Sequence, residues 1–446
     1  MKKKVYLIQP TYRNNEGRLL KGRKISLHAL AVPALSSTIP PDWEKEFCLE
    51  YFEDVNYDTH ASVVAITTMG YDIMHGREIA AEFKKRGKTV LFGGYQAHFS
   101  ENLLRSVADS VVHGNPGPAD MATILGHAEA GRLAPRYECG IDIDFPFDYS
   151  VLQGKKAHFM PVLASVGCVN RCEFCCTGAV YKGKHVVRDL SHVMADLHAV
   201  RGMSRNACFV DSNIYNNRPY LLELCSRIIE ENLGLTWGAQ STVVIADDAE
   251  ALSMLRRAGC RILFIGLETL NQDNLKLMHK GYAVQRYREQ IRRIREAGIL
   301  VGGFFMLGLD GDDVSSFGRL FDFIHESRIS LPILNLLLPA PGTKVFDRLK
   351  TEGRLLIENE EDYLRNNQTY NTACNRCFYL PKRMSPAEAE AGFLKLGNRL
   401  CSFREIVRRS TTPNPLTAAS IFFMNMDLRA KFRAMASAQR AISRSN

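Results

Sequence analysis

Three closely spaced cysteines are the residues of this chain with the clearest chemistry. Cys168, Cys172 and Cys175 follow CxxxCxxC spacing within SVGCVNRCEFCCTG, directly after an apolar run. Thiolates are the usual ligands of iron–sulfur clusters, and three of them on one loop can bind three corners of a four-iron cube. The fourth iron is then open to chelate the amino and carboxylate groups of a small molecule and to pass it an electron. The loop therefore predicts a 4Fe–4S cluster.

Zinc binding and inert packing are alternative roles for the same cysteines. Structural zinc prefers four ligands, usually as two separated pairs, and no matching second pair lies nearby in the sequence. Buried thiols without a metal are the second alternative. The choice of third ligand is also open, because Cys168, Cys172 and Cys176 form a CxxxCxxxC variant. The aromatic Phe174 directly before Cys175 favours the first set and leaves Cys176 as a packing or outer-shell thiol.

The elements before the cysteines follow from alternating strand and helix patterns. From Lys4 to about Ala130, strands are predicted by VYLIQP, SVVAITTM, TVLFGG and SVVHG, and a helix by MHGREIAAEFKKRG. Strands that alternate with helices predict a parallel sheet with crossover helices. We therefore predict an α/β chain in which residues 1–135 form a Rossmann-like domain and residues 136–156 form a linker.

The segment that contains the cysteines shows the same alternation with a longer period. Its candidate strands are FMPVLASVG, NACFVDSN, TWGAQSTV, RILFIGLE, VGGFFMLGL and ILNLLLP. Six strand–helix units are too few for a closed eight-stranded barrel, so residues 157–345 are predicted to form a partial, open (β/α)6 barrel. Its chemistry is expected at the carboxyl ends of the strands. A mainly helical region is predicted for residues 346–446.

Composition and charge narrow the class of protein. The 446 residues are 46% hydrophobic and 24% charged, which is ordinary for a globular chain. No apolar run reaches the roughly 18 residues of a membrane span, and the apolar stretch near Met1 is too short for a signal peptide. We therefore expect a cytoplasmic protein with reduced cysteines. Much of the net charge of +9 lies near the C-terminus. A solvated helix explains it, and contact with an anionic substrate, partner or membrane surface is the alternative. No nucleic-acid partner is expected.

The cysteine motif resembles the signature of the radical S-adenosylmethionine (SAM) superfamily, CxxxCxΦC with an aromatic residue at Φ. The resemblance implies that the free iron binds SAM. It also implies reductive cleavage to methionine and a 5′-deoxyadenosyl radical, which abstracts hydrogen from an unactivated carbon. A small-molecule biosynthetic substrate and an electron donor of the flavodoxin or ferredoxin type follow from the same resemblance.

The resemblance extends to segments beyond the loop, including CFVDSN, FIGLET, GGFFMLGLDGDD and LPAPGT. It implies cofactor contacts at Phe174, Asp211, Ser212, Gln240, Glu268, Gly303 and Met306. Simpler structural roles fit several of these residues as well. Asp211 and Ser212 are residue types that commonly end a strand in a turn. Glu268 fits equally a surface carboxylate that caps the following helix.

The first domain resembles the cobalamin-binding domains that precede many radical SAM cores. Gly93 and Gly94 would let the backbone approach a flat macrocycle closely. The Asp-x-His-x-x-Gly motif of histidine-coordinated cobalt is absent, and His75 has a spacing more typical of a helix start. Tyr95 and Pro116 add bulk where the corrin is expected. Without cobalamin, the domain would be a scaffold that retains the fold.

The remaining cysteines support a weaker hypothesis. Cys374 and Cys377 form a CxxC and could join Cys401 in an auxiliary cluster, but reduced structural thiols account for them as well. Five others lie singly in apolar or amphipathic runs and are expected in the core: Cys48, Cys139, Cys208, Cys225 and Cys260.

The predicted function is cobalamin-assisted methylation of an unactivated carbon. The alternative is cobalamin-independent dehydration or oxidation, for example of an aminoglycoside sugar or a tetrapyrrole. A non-catalytic iron–sulfur or zinc-binding regulatory protein is a third hypothesis, and it would leave the ordered barrel motifs unexplained.

Overall fold

The computed structural model describes residues 3–14, 17–70, 72–357, 359–366, 376–412 and 415–445. The strands are β1 Lys4–Gln9, β2 Lys24–Leu27, β3 Glu44–Leu49, β4 Val63–Thr67, β5 Thr89–Gly93, β6 Ser110–Asn115, β7 Arg136–Ile141, β8 Lys156–Val162, β9 Ser165–Gly167, β10 His185–Val187, β11 Asn206–Phe209, β12 Thr236–Ser241, β13 Cys260–Glu268, β14 Leu300–Leu307 and β15 Leu331–Leu336.

The helices are α1 Ala31–Thr38, α2 Ile73–Lys85, α3 Glu101–Leu104, α4 Pro118–Glu129, α5 Cys176–Tyr181, α6 Leu190–Met203, α7 Arg218–Glu230, α8 Ala249–Arg257, α9 Gln272–Leu277, α10 Tyr287–Glu296, α11 Ser316–Ser327, α12 Lys344–Thr351, α13 Glu360–Asn366, α14 Pro386–Leu400, α15 Phe403–Ser410 and α16 Pro415–Ser445. Among the described residues, no helix has the length and apolar character needed to cross a membrane.

The chain divides into two compact units, and each is discontinuous in sequence. The first contains residues 1–164, 186–208 and 358–370, and the second contains residues 165–185, 209–357 and 371–446. The cysteine loop therefore belongs to the second unit, whereas the helix α6 that comes after it in the chain belongs to the first.

The first unit contains a six-stranded sheet in the order β3-β1-β4-β5-β6-β7 with every pair parallel. Its central strand β4 is buried at all five positions, because helices cover both faces of a parallel sheet. The predicted parallel α/β sheet is confirmed. The strand order reverses between β1 and β4, which is the kind of position where such sheets bind ligands.

Strands β3 and β7 lie at the two edges of this sheet, and the sequence patterns do not predict them. An edge strand has one neighbouring strand, so it needs less apolar surface than a central strand. β7 alternates exposed and half-buried residues along its length. β7 lies inside residues 136–156, which were predicted to be a linker, and it pairs with β6.

All six strands predicted for the barrel are present, as β8 and β11 to β15. Within the second unit, β12, β13, β14 and β15 pair in parallel in that order, as part of a half-barrel sheet. Helices α7, α8, α10 and α11 lie between consecutive strands, as a (β/α) repeat requires. The predicted partial barrel is confirmed, and the described residues after β15 are mainly helical, from α12 to α16.

Candidate cluster and cofactor site

The cysteine loop begins at a backbone position that only glycine fits. Gly167, the last residue of β9, has φ +81°, and a Cβ atom there would collide with the carbonyl oxygen of Lys184. At the far end, the amide of Cys175 donates to the carbonyl of Cys172 at 3.2 Å, and α5 starts at the next residue. The loop is thus a short, closed turn between a strand and a helix.

The three predicted ligands lie in this turn, and their thiols differ in exposure. Cys168 is buried, with its sulfur 3.8 Å from Asn216 Oδ1, whereas Cys172 and Cys175 are half-buried. Burial raises the pKa of the Cys172 thiol to about 11, against a smaller opposing effect of Lys280. Bound iron would instead favour the deprotonated form, because a metal ion stabilises the thiolate that coordinates it.

The donor set of the loop is three cysteine thiols on one turn. Within the described ranges, no three His, Cys, Asp or Glu side chains converge closely enough to hold one metal ion. A four-iron cube has a different requirement, because each thiolate binds its own iron at a separate corner. Three soft sulfur donors on one turn fit that requirement.

An ion-pair network fixes the middle of the loop. Glu173 lies between two of the predicted ligands, and its carboxylate accepts hydrogen bonds from Arg348 at 2.9 and 3.3 Å. Arg348 on α12 also donates to Asp310 at 2.8 Å, and Asp310 accepts from Arg354 at 2.6 Å. The backbone adds a bond from the Val345 amide to the Glu173 carbonyl at 3.1 Å. A bidentate arginine of this kind restricts both the position and the rotation of the loop.

Replacing Arg348 by methionine is expected to make the cluster labile. Loss of an outer-shell partner typically lowers metal affinity by about 10–100-fold, and Glu173 would keep a buried, unpaired charge. Iron retained after anaerobic gel filtration measures the effect. Arg354→Met is the matched control, since it removes a contact to Asp310 without touching Glu173. Equal iron retention in the two variants would contradict the role of Arg348.

One face of the half-barrel sheet is partly open at alternate positions. Gln240 is exposed although its neighbours on β12 are buried, and it pairs in register with half-buried Phe264. Phe304 and Met306 on β14 follow the same alternation. Successive side chains of a strand point to opposite faces, so these residues share one face. This places the predicted contacts Gln240 and Met306 on the open face.

Glu268 occupies an unusual backbone position at the carboxyl end of β13. It has φ +63°, and the register with β14 shifts between Gly266 and Glu268. Its buried carboxylate accepts a hydrogen bond from Lys280 Nζ at 2.6 Å. A cavity of about 260 Å³ is lined by Glu268 together with Thr269, Leu270, Asn271, Met306, Leu307, Asp312, Ser316, Arg319 and Leu320. Strained residues of this kind concentrate at functional sites.

The other predicted contacts have local partners. Asp211 is fully buried and accepts a hydrogen bond from Ser165 Oγ at 2.6 Å, so it ties the end of β11 to the strand before the cysteine loop. Ser212 Oγ lies 3.4 Å from Thr177 Oγ1 on α5. A side chain at Gly303 would face Ile329 and Phe305. Any contact from Gly303 to a ligand on the open face would therefore come from its backbone.

The first unit has an apolar cavity of about 140 Å³ at the carboxyl ends of β4, β5 and β6. Gly93, Gly94 and Gly114 line it together with Ala31, Ala34, Leu35, Ala65, Ile66, Thr67, Leu91, Phe92, Val112, Asn115, Pro116, Met121, Asp142, Ile143 and Phe145. Gly94 has φ +98°, and a Cβ atom there would collide with the backbone of Thr68. An apolar cavity of about 150 Å³ can hold a benzene ring, so this one has room for a flat ring of about that size.

His75 has no ring nitrogen open to a metal in this arrangement. Its Nε2 lies 2.9 Å from Glu50 and its Nδ1 lies 3.0 Å from Glu78. His75 is the third residue of α2, and its ring is buried. Of the two bulky residues predicted near a corrin, Pro116 lines the cavity, whereas Tyr95 contacts Phe99.

The remaining cysteines are placed as follows. Cys374 lies outside the described residues. Cys377 is buried with its sulfur 3.2 Å from the Tyr379 carbonyl, and Cys401 is buried at the end of α14. Cys48, Cys225 and Cys260 are buried, whereas Cys139 and Cys208 are half-buried.

Sequence reasoning missed two cations. Arg348 contacts the cysteine loop through Glu173, and Lys280 contacts Glu268 at the end of β13. Each is far from its partner in sequence and lies in a segment rich in other charged residues. The bulge between Gly266 and Glu268, where the Glu268 carboxylate meets Lys280, is visible only in the fold.

Comparisons with known proteins agree with this geometry. Residues 162–324 match the family model of the radical SAM superfamily. The chain is similar to bacteriochlorophyllide d C-8(2)-methyltransferase of Chlorobaculum tepidum, with 27% identity over 372 residues that cover 76% of this chain and 79% of the relative.

Two solved structures share the fold. One is the radical SAM methyltransferase TsrM from Kitasatospora setae with cobalamin and a [4Fe-4S] cluster bound, at TM-score 0.70 and 15% identity, covering 99% of this chain and 100% of that one. The other is the cobalamin-dependent radical enzyme OxsB with aqua-cobalamin and SAM bound, at TM-score 0.64 and 12% identity, covering 96% of this chain and 72% of that one.

Proposed function

We propose that this chain, which contains a radical SAM domain over residues 162–324, methylates an unactivated carbon of a small-molecule substrate with cobalamin as methyl carrier. The observation that carries the proposal is the short turn that holds Cys168, Cys172 and Cys175, in a chain whose first unit has an apolar, glycine-lined cavity. The two features together support a cluster at the turn and a corrinoid at the cavity.

The residues of the chain have separate tasks in this reaction. When bound, the cluster would supply an electron to SAM, and cobalamin would supply the methyl group. The three cysteines would hold the cluster, and Arg348 fixes their loop through Glu173. The open sheet face around Gln240 would contact the bound SAM and orient the substrate beside it. A protein of the flavodoxin or ferredoxin type would deliver the electron.

Cobalamin-independent dehydration or oxidation is less well supported. The similar curated relative and the TsrM structure are both methyltransferases. A chain that used its first unit only as a scaffold would also have no need for a glycine-lined cavity at the ligand-binding edge of the sheet.

Corrinoid retention tests the proposal directly. The reconstituted chain is incubated with hydroxocobalamin in the absence of oxygen, and the corrinoid absorbance is measured after gel filtration. Ala34→Phe fills the cavity from α1. Overpacking typically costs about 1–3 kcal/mol, and each 1.4 kcal/mol is a tenfold change in affinity, so retention weaker by about 5- to 140-fold is expected.

Ser37→Phe is the matched control, because it lies on the same helix but outside the cavity lining. It should retain the corrinoid as the unmodified chain does. If the unmodified chain retains none, methyl transfer is wrong and the dehydration or oxidation alternative replaces it. If Ala34→Phe retains as much as Ser37→Phe, the cavity is not the binding site.

A further inference from the structure

A buried lysine lies beside the cysteine loop. Lys280 Nζ donates to Glu268 Oε1 at 2.6 Å and to the Gly266 carbonyl at 3.2 Å. The two charged side chains are only 8% and 11% exposed. Burial lowers the pKa of Lys280, but the neighbouring groups, first among them Glu268, together outweigh it, so the pKa is raised and the ammonium stays charged.

The backbone next to this ion pair has an unusual conformation. Glu268 takes a left-handed conformation that is unfavourable for a residue with a side chain, and the bulge at Gly266 aims its carboxylate towards Lys280. A Cβ atom at Gly266 would lie 2.5 Å from Glu268 Oε1 and 3.1 Å from Lys280 Nζ. A surface ion pair would require neither the strain nor the glycine.

The ammonium faces the cysteine loop rather than the outer surface. Its Nζ lies 5.8 Å from the ring centre of Phe174 and 5.5 Å from that of Tyr282. Phe174 stands between Cys172 and Cys175 in the sequence.

We propose that Lys280 and Glu268 are opposed charges that set the reduction potential of the cluster bound by Cys168, Cys172 and Cys175. This inference rests on the proposed function. Reduction adds one electron to the cluster from the flavodoxin- or ferredoxin-type donor, with no bond formed and no proton moved. In a low-dielectric site a nearby positive charge favours that electron and a nearby negative charge opposes it. Lys280 therefore makes reduction easier, and Glu268 makes it harder.

Redox titration of three variants tests the proposal. Each full-length, reconstituted chain is titrated without SAM, and the reduced cluster is followed by electron paramagnetic resonance. Lys280→Met should lower the potential, so that the ratio of reduced to oxidised cluster at a fixed poise falls about tenfold, equivalent to about 59 mV for one electron. Glu268→Gln should raise the potential. Lys280→Arg keeps the charge and should remain close to the unmodified chain.

An electrostatic role predicts potential shifts of opposite sign in Lys280→Met and Glu268→Gln, whereas a structural role does not. Damage to the fold would move Lys280→Met and Glu268→Gln in the same direction, and iron content identifies any variant that loses its cluster. Intact clusters with unchanged potentials, or with shifts of one sign, would overturn this inference alone. An unmodified chain that assembles no 4Fe–4S cluster would overturn the proposed function and the inference together.

Discussion

Replacing Cys175 by alanine is expected to abolish 5′-deoxyadenosine formation, whereas the Cys176→Ala variant keeps it. Cys175 closes the turn of the loop by donating a hydrogen bond from its backbone N–H to the Cys172 carbonyl, and Cys176 starts α5. Loss of a direct ligand should exceed the roughly 10–100-fold effect of losing an outer-shell partner. Product analysis after anaerobic incubation with SAM and dithionite measures the difference.

The two variants control for each other, because they remove the same thiol group from adjacent residues. Burial raises the pKa of the Cys176 thiol to about 11, as it does for the predicted ligand Cys172, so iron content is the readout that separates Cys175 from Cys176. Iron content should fall in Cys175→Ala and remain unchanged in Cys176→Ala. The reverse pattern would show that Cys176 is the third ligand, in the CxxxCxxxC variant of the motif.

Replacing Arg188 by methionine is expected to cost the first unit about 3–5 kcal/mol of unfolding free energy, because it breaks a fully buried ion pair. The guanidinium donates to Asp196 at 2.7 Å, and neither side chain is exposed. It also donates to the carbonyls of Ile143, Phe145 and Leu163. Asp196 would keep a buried charge without its main partner.

Urea denaturation measures this loss. A Trp237→Phe background leaves Trp43, a buried residue of the first unit, as the remaining tryptophan. Lys85→Met is the matched control, since it removes an exposed ion pair with Glu82 that is worth less than about 1 kcal/mol. Arg188→Met with Asp196→Leu should recover much of the loss. A single-variant loss below about 1 kcal/mol would show that the pair does not stabilise the first unit.

The fold was predictable where burial leaves a strong pattern. The central strands of the first sheet are apolar runs because both of their faces are covered, and the barrel strands are largely apolar because at least one face is buried. The edge strand β7 was missed because one side of it needs no apolar cover. The other edge strand, β3, was missed because it begins with charged residues. Their pairing depends on the neighbouring strand rather than on their own composition.

The site was predictable only where its residues are close in sequence. The cysteine motif is local, so its spacing alone indicates a cluster. The contacts of Arg348 with Glu173 and of Lys280 with Glu268 span 175 and 12 positions. An isolated lysine or arginine in a charged segment has the same sequence pattern whether it is exposed or buried. Only the folded chain shows that these two cations face the loop and the end of β13.

The proposed chemistry depends on three thiolates of this chain that leave one iron of the cluster open to SAM. Electron–nuclear double resonance on the reduced cluster, with SAM labelled at the carboxylate and amino groups, is the decisive measurement. We expect hyperfine coupling to both labels and iron near four per chain, as a 4Fe–4S cluster requires. Zinc at the site, or a cluster with four protein ligands and no coupling to SAM, would contradict the assignment.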